Sequence, residues 1–92
     1  MAGRLGILVN SDRHPEYVLE LCQAARLRGR QVSVHFIGAG LHLAEGPLLE
    51  TLEGMAHISR EPHPSGSRDG VPELPGLALS EFFRRCDRTV VF

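Results

Sequence analysis

The chain has 92 residues, of which 42% are hydrophobic, and its formal net charge at pH 7 is −1. A chain of this length makes a single small domain (residues 1–92) that buries only about 60–65% of its unfolded surface, so association between subunits is a natural way to cover more apolar area. The small net charge gives no general attraction to nucleic acid or to anionic membranes. Two cysteines are too few for a disulfide framework.

The start of the chain leads directly into an apolar segment. We find no signal peptide pattern and no apolar stretch of the length that crosses a bilayer. A cytoplasmic protein without membrane contact is therefore expected.

The first strand–helix unit is predicted over residues 4–28. A strand at residues 4–10 is rich in branched apolar side chains, which is typical of parallel strands covered on both faces. Pro15 stands at the first position of a helix predicted over residues 15–28, where its missing N–H costs nothing. An apolar stripe at helical spacing contains Val18, Leu21, Cys22 and Ala25. Gly29 is expected to end this helix in the left-handed conformation.

The second unit begins with a strand predicted over residues 31–37, which is followed by Gly38, Ala39 and Gly40. Pro47 starts a short helix over residues 47–53, and Gly54 ends it. A weaker third strand is predicted over residues 55–59.

Residues 60–78 carry four prolines and three glycines and have no apolar period. A segment of this length is either mobile or an ordered lid over a site, and the sequence leaves both alternatives open. Ser80 is the expected N-cap of a third helix at residues 81–85, with Phe82 and Phe83 packing inward. A fourth strand is predicted over residues 89–92.

Alternating strands and helices predict a three-layer α/β/α sandwich on a mostly parallel, four-stranded sheet, flavodoxin-like in outline. In such open sheets ligands bind at the carboxyl ends of the strands. We call this end of the sheet the rim. It comprises residues 10–14, residues 38–42, and the chain from Ser59 onward.

A small anionic ligand is predicted at the rim. Its basic residues are Arg13, His14, His42, Arg60, His63 and Arg68, which Asp12, Glu61 and Asp69 partly offset. Backbone N–H groups at helix starts point to the same end. The alternative is an ordinary solvated loop surface, where arginine is common. The candidate ligand-binding residues are Asn10, Ser11, Asp12, Gly38, Gly40, His42, Ser59 and Arg60.

Other chemistries are less well supported at the rim. Gly38, Ala39 and Gly40 make only half of a dinucleotide fingerprint, so a tight turn is favoured over a phosphate loop. Asp12, His14 and His42 lack the spacing of a metal site, and neither a metal nor another cofactor is expected.

The two cysteines are predicted to lie away from the rim. Cys22 is on the apolar stripe of the first helix, where a free cysteine acts as a small buried hydrophobe. Cys86 falls between the third helix and the fourth strand, at the amino ends of the strands. Arginines at positions 84, 85 and 88 would lower its pKa, whereas a helix C-terminus acts in the opposite direction. A structural role is favoured for Cys86, with a reactive thiol as the alternative.

Four segments together resemble the DsrE/DsrF-like proteins. The first is Gly6 to Asp12 (GILVNSD), which is similar to their first strand, and the second is Phe36 to Leu43 (FIGAGLHL), similar to their second strand and the following turn. Gly54 to Ser59 (GMAHIS) resembles their third strand, and Cys86 to Phe92 (CDRTVVF) resembles their last. The match covers most of the chain outside residues 61–78.

This resemblance implies an α/β/α sandwich that associates into homo- or hetero-oligomers. In the sulfur-relay members of the family, a cysteine just after the third strand carries persulfide sulfur. The corresponding position here is Arg60, and neither Arg60 nor Ser59 can replace a thiolate. The resemblance therefore transfers the scaffold and the rim without the sulfur-carrying group.

Three functional hypotheses follow. The first is a non-catalytic DsrE-like module that self-associates and binds a small anionic ligand or a protein partner, such as a sulfur-relay protein, at the rim. The second is a persulfide carrier that uses Cys86. The third is an enzyme of another type in which residues 60–78 form a lid. Exposed sheet edges and a small core favour a homo-oligomer in each case.

Overall fold

The computed structural model describes residues 3–61 and 79–92 of the chain. In chain order its elements are β1 (Arg4–Val9), α1 (Pro15–Leu27), β2 (Gln31–Phe36), a 3₁₀ helix (Gly38–Glu45), α2 (Pro47–Glu53), β3 (His57–Arg60), α3 (Leu79–Arg85) and β4 (Arg88–Val91). The prediction of a mobile segment or lid falls on residues 62–78, which lie outside the described residues.

The four strands form one parallel sheet in the order β3-β2-β1-β4. The predicted mostly parallel, four-stranded α/β fold is thereby confirmed. The chain runs outward from β1 to β3 and then returns to the other side of β1 to place β4. The direction of winding therefore reverses between β1 and β4, the kind of position at which open sheets form a crevice.

One face of the sheet carries the main apolar core. Strand side chains alternate between the two faces, so every second residue of β1 and β2 points to the same side. α1 and α2 cover this side and contact each other. The buried cluster consists of Leu5, Ile7, Val9, Val18, Cys22, Ala25, Val32, Val34, Phe36, Ala44 and Leu52. The apolar stripe predicted for α1 is confirmed by the burial of Val18, Cys22 and Ala25.

The opposite face is more polar and carries α3. Ser33 and His35 of β2 are both buried on this side, and Phe82 of α3 packs with its ring centroid 5.5 Å from that of His35. Helices on both faces give the three-layer arrangement. Phe83 was predicted to point inward with Phe82, but it is 41% exposed, because adjacent helical positions project about 100° apart.

Several element boundaries differ from the prediction by one or two residues. β3 begins at His57 rather than at residue 55 and continues through Arg60. α3 begins at Leu79, so Ser80 lies inside this helix and is not its N-cap. Gly29 has the predicted positive φ of 76°.

The sequence did not predict the 3₁₀ helix. Its eight residues follow directly after β2 and contact α2 and β2. Leu41, Leu43 and Ala44 pack on the core from this helix, although they do not follow the period of an α-helix. Among the described residues, no helix combines the length and apolarity needed to cross a membrane.

Candidate functional site

Backbone hydrogen bonds that continue beyond the strand ends hold the rim in place. Ile37 N–H donates to Val9 O at 2.9 Å, and Glu61 N–H donates to Phe36 O at 3.0 Å. Asn10 N–H donates to Phe92 O at 2.7 Å. The first residues of the rim loops are thus extensions of the sheet ladder, which gives them defined positions.

The glycine turn after β2 requires both of its glycines. Gly38 has a φ of +53°, a conformation that residues with a Cβ rarely adopt, and a Cβ there would lie 2.5 Å from Asn10 Oδ1. A Cβ on Gly40 would collide with the backbone carbonyl of Val9. The 3₁₀ helix can therefore begin directly against the end of β1, which brings its residues to the loop after β1.

Asp12 and His42 form the first polar contact between these two rim segments. His42 Nδ1 lies 2.8 Å from Asp12 Oδ2, and both side chains are solvent-exposed. The hydrogen bond from His42 lowers the pKa of the Asp12 carboxyl, with the nearby Arg13 guanidinium acting in the same direction. Asp12 is therefore a carboxylate at neutral pH and orients the His42 imidazole.

Glu61 provides a second contact at the rim. Its Oε1 accepts a hydrogen bond from the Gly38 N–H at 2.7 Å. The first N–H of the glycine turn therefore binds a carboxylate of the chain itself. The sequence prediction treated Glu61 only as a charge that offsets the basic residues, because nothing in its position along the chain indicates that it reaches the turn.

Ser59 and His35 make a third pair, on neighbouring strands. His35 is paired with Ser59 in the sheet register, and its Nδ1 lies 2.8 Å from Ser59 Oγ. The imidazole is fully buried, and its Nε2 has no hydrogen-bond partner among the described residues. Burial lowers the pKa of His35, while the Glu61 carboxylate offsets part of this effect. His35 is thus neutral at pH 7.

A serine–histidine pair is the basis of many acyl-transfer sites, but this one lacks the other components. The His35 ring is 0% exposed, and no described carboxylate hydrogen-bonds its second nitrogen to orient it. The pair gives the buried His35 Nδ1 a hydrogen-bond partner within the sheet. The signal for it in the sequence was the alternation of Ser33 and His35 with valines inside a strand predicted to be covered on both faces.

The remaining predicted site residues are dispersed. Arg60 is only 1% exposed and shares the face of its register partner Phe36, so its side chain belongs to the core side of the sheet. The Ser11 hydroxyl accepts a hydrogen bond from the Arg13 N–H at 3.2 Å, which closes the loop after β1. Of the eight candidates, four lie close together: Asn10, Asp12, Gly38 and His42. Gly40 contributes by allowing the 3₁₀ helix to approach the backbone of Val9.

His14 stands apart from the Asp12–His42 pair. It stacks on Tyr17 with a centroid separation of 4.7 Å, and its Nδ1 lies 3.7 Å from Glu16. Within residues 3–61 and 79–92, no three His, Cys, Asp or Glu side chains converge into a set that holds a metal ion.

Known proteins offer no match to this chain, whether the comparison is made with family models, with curated proteins or with solved structures. The chemistry of the site therefore rests on its own residues.

Both thiols lie away from the rim. Cys22 is completely buried on the side of α1 that packs on the core. Cys86 precedes Asp87, whose N–H donates to Arg4 O at 2.9 Å at the beginning of β1, so this sulfur is at the amino ends of the strands, as predicted. Burial raises the pKa of each thiol, and in Cys86 the Asp87 carboxylate adds to this effect while Arg4 opposes it.

Two of the three arginines expected to activate Cys86 are engaged elsewhere. Arg84 Nη1 lies 3.7 Å and Arg85 Nε 3.4 Å from the Glu81 carboxylate, on the exposed side of α3. Burial therefore dominates the chemistry of Cys86, and its thiol stays protonated at neutral pH.

Proposed function

We propose that this chain is a cytoplasmic, non-catalytic, DsrE-like module that self-associates and binds a small anionic ligand at the rim. The observation that carries the proposal is the hydrogen bond between the Gly38 N–H and the Glu61 carboxylate. It supports the proposal because the N–H of the glycine turn already donates a hydrogen bond to a carboxylate.

Three groups are available to an incoming anion near this position. The Gly38 N–H becomes available when the Glu61 side chain moves away, and the exposed His42 ring lies on the same 3₁₀ helix. Arg13 is exposed on the loop that carries Asp12. These groups suit a small oxyanion, whose charge takes the place of the displaced carboxylate.

The positions of the thiols support a module without sulfur chemistry. A persulfide carrier needs an accessible thiolate, whereas Cys22 is buried, Cys86 is partly buried, and burial raises the pKa of both thiols. Because β3 extends through Arg60, the residue that follows the third strand is Glu61. The position that carries persulfide sulfur in the DsrE-like proteins thus corresponds here to Arg60 or Glu61. The alternative of a carrier that uses Cys86 is not supported by the surroundings of this thiol, because burial raises its pKa.

Self-association is supported by the two edges of the sheet. Within residues 3–61 and 79–92, β3 and β4 each have one neighbouring strand, so each edge carries backbone groups able to pair with another strand. Val91 on β4 is 59% exposed, which adds an apolar side chain to that edge.

Sulfate binding to isotope-labelled protein, followed by NMR chemical shifts, tests the proposal. We expect saturable shifts at the amides of Gly38, Gly40 and His42. Glu61→Gln removes the competing charge and retains an oxygen that can accept the Gly38 hydrogen bond, so it should raise the sulfate affinity about two- to fivefold. Glu50→Gln is the matched control, because this exposed residue of α2 carries the same charge away from the turn.

The proposal fails if sulfate produces no saturable shifts at the rim in either protein. It also fails if Glu50→Gln raises the affinity as much as Glu61→Gln, because the effect is then one of net charge and not of the turn.

A further inference from the structure

The opposite end of the sheet carries a surface with its own chemistry. Open grooves of about 450, 480 and 490 Å³ lie around the amino ends of the strands and the last turns of α1. The first shares Arg30 with the second, and it shares Arg26 and Met55 with the third. The grooves therefore form one continuous surface, which we call the amino-end face.

The amino-end face is strongly basic. Its lining includes Arg26, Arg28, Arg30 and Arg88, together with His57, and among the described residues Glu53 is the only acidic one that lines the three grooves. Within a chain of net charge −1, this is a marked local excess of positive charge.

Most of these guanidinium groups have no partner in the described part of the chain. Arg26 donates to Met55 O at 3.0 Å. For Arg28, Arg30 and Arg88, residues 3–61 and 79–92 supply neither a carboxylate within ion-pair distance nor a side-chain hydrogen bond.

The C-terminus of α1 accounts for only part of this charge. A cation in the last turn complements the helix dipole, and Arg26 occupies that place. Arg30 follows the end of the helix and Arg88 comes from β4, on a different part of the sheet. Arg30 and Arg88 therefore line one groove although neither is needed to stabilise the C-terminus of α1.

Apolar side chains lie beside the arginines. The groove lined by Arg28, Arg30 and Arg88 is also lined by Leu5, Leu21, Ala24 and Ala25. Leu27 on the adjoining groove is 89% exposed, the most exposed large apolar side chain in the described residues. Arginine next to exposed apolar side chains is a typical composition of protein-binding surfaces.

We propose that the amino-end face is a docking surface for an acidic, leucine-bearing segment of a partner protein. Carboxylates of the segment pair with Arg28, Arg30 and Arg88, and its leucines cover Leu27 and Leu21. A nucleic acid would use the arginines but would leave Leu27 exposed to water. A second copy related by a two-fold axis would place this basic face against itself, which charge repulsion disfavours.

The probe is a short fluorescein-labelled peptide in which glutamates alternate with leucines at helical spacing, measured by fluorescence anisotropy with the full-length chain. We expect the double variant Arg28→Gln, Arg88→Gln to weaken binding about five- to tenfold, which corresponds to about 1.0–1.4 kcal/mol for the loss of two exposed charge pairs. The control, Arg84→Gln with Arg85→Gln, removes equal charge from α3 and should leave the affinity within about twofold.

Leu27→Ser tests the apolar contribution. Because Leu27 is exposed, its loss leaves the melting temperature unchanged, whereas covering a leucine on binding should make this variant about fivefold weaker. Amide shifts on binding are expected at Arg28, Gly29 and Arg30 and not at Gly38 or His42, which separates this surface from the proposed anion site.

Three outcomes would overturn the docking proposal. In the first, the Arg28, Arg88 variant binds the peptide as tightly as the α3 control does. In the second, a peptide with serine in place of leucine binds as tightly as the original peptide. In the third, a single-stranded oligonucleotide of the same charge binds as tightly as the peptide or more tightly. None of these results bears on sulfate binding at the rim.

Discussion

The Ser59–His35 pair gives a direct test of how the site is supported. Ser59 was a candidate for ligand binding, but in the structure its hydroxyl serves the buried His35 imidazole at 2.8 Å. Ser59→Ala removes this partner and adds no bulk. The ring then has neither nitrogen hydrogen-bonded within the described residues, because Nε2 already lacks a partner.

The expected cost follows from the burial of the ring. A buried polar atom that loses its partner costs about 1–3 kcal/mol, compared with about 1 kcal/mol for an average hydrogen bond. Since His35 is 0% exposed, we expect a loss of at least about 1.5 kcal/mol in the free energy of unfolding. With a urea m-value of about 1.5 kcal/mol per M, the midpoint falls by about 1 M.

Urea unfolding followed by circular dichroism at pH 8, where His35 is neutral in both states, measures this loss. Ser33→Ala is the matched control. Ser33 is buried on the same face of β2, and its side chain makes no hydrogen bond within the described residues. If Ser59→Ala is no more destabilising than Ser33→Ala, the hydrogen bond to His35 does not contribute as argued.

Three further changes have defined outcomes. Burial lowers the pKa of His35 in the folded state. As the pH falls below the unfolded-state pKa of about 6.5, the unfolded state binds a proton that the folded state does not, so the free energy of unfolding falls by up to about 1.4 kcal/mol per pH unit. This slope should be smaller in His35→Gln than in the exposed control His57→Gln, and equal slopes would contradict the argument. Gly40→Ala forces a Cβ against the β1 backbone and should cost about 1–3 kcal/mol in urea unfolding, whereas Gly54→Ala, with open space around it, should change stability by less than about 0.5 kcal/mol. Iodoacetamide should label Cys86 much more slowly in native protein than in urea at pH 7.5, because burial raises its pKa; equal rates would restore the carrier hypothesis.

The fold was predictable because its signals are local. Pro15 and Pro47 begin their helices at the predicted positions, and Gly29 has the left-handed conformation that ends the first of them. Each of these residues restricts its own backbone angles, whatever surrounds it.

The contacts at the rim were less predictable because they join distant parts of the chain. Asp12 and His42 were both candidates, but their pairing depends on how the 3₁₀ helix packs against the end of β1. Glu61 reaches the Gly38 N–H only because β3 lies next to β2 in the sheet. Strand order and register create these neighbours, and neither is encoded by spacing.

Arg60 shows the same distinction for a single residue. Its position just after the strand predicted over residues 55–59 placed it at the rim, but β3 extends through Arg60 and directs its side chain to the same face as Phe36. Alternating apolar runs and turn residues were sufficient to establish a parallel α/β sheet, because these preferences act over a few residues. Which polar groups meet and which arginines gather at the amino-end face depend on packing between elements far apart in the chain, and packing is a property of the folded molecule as a whole.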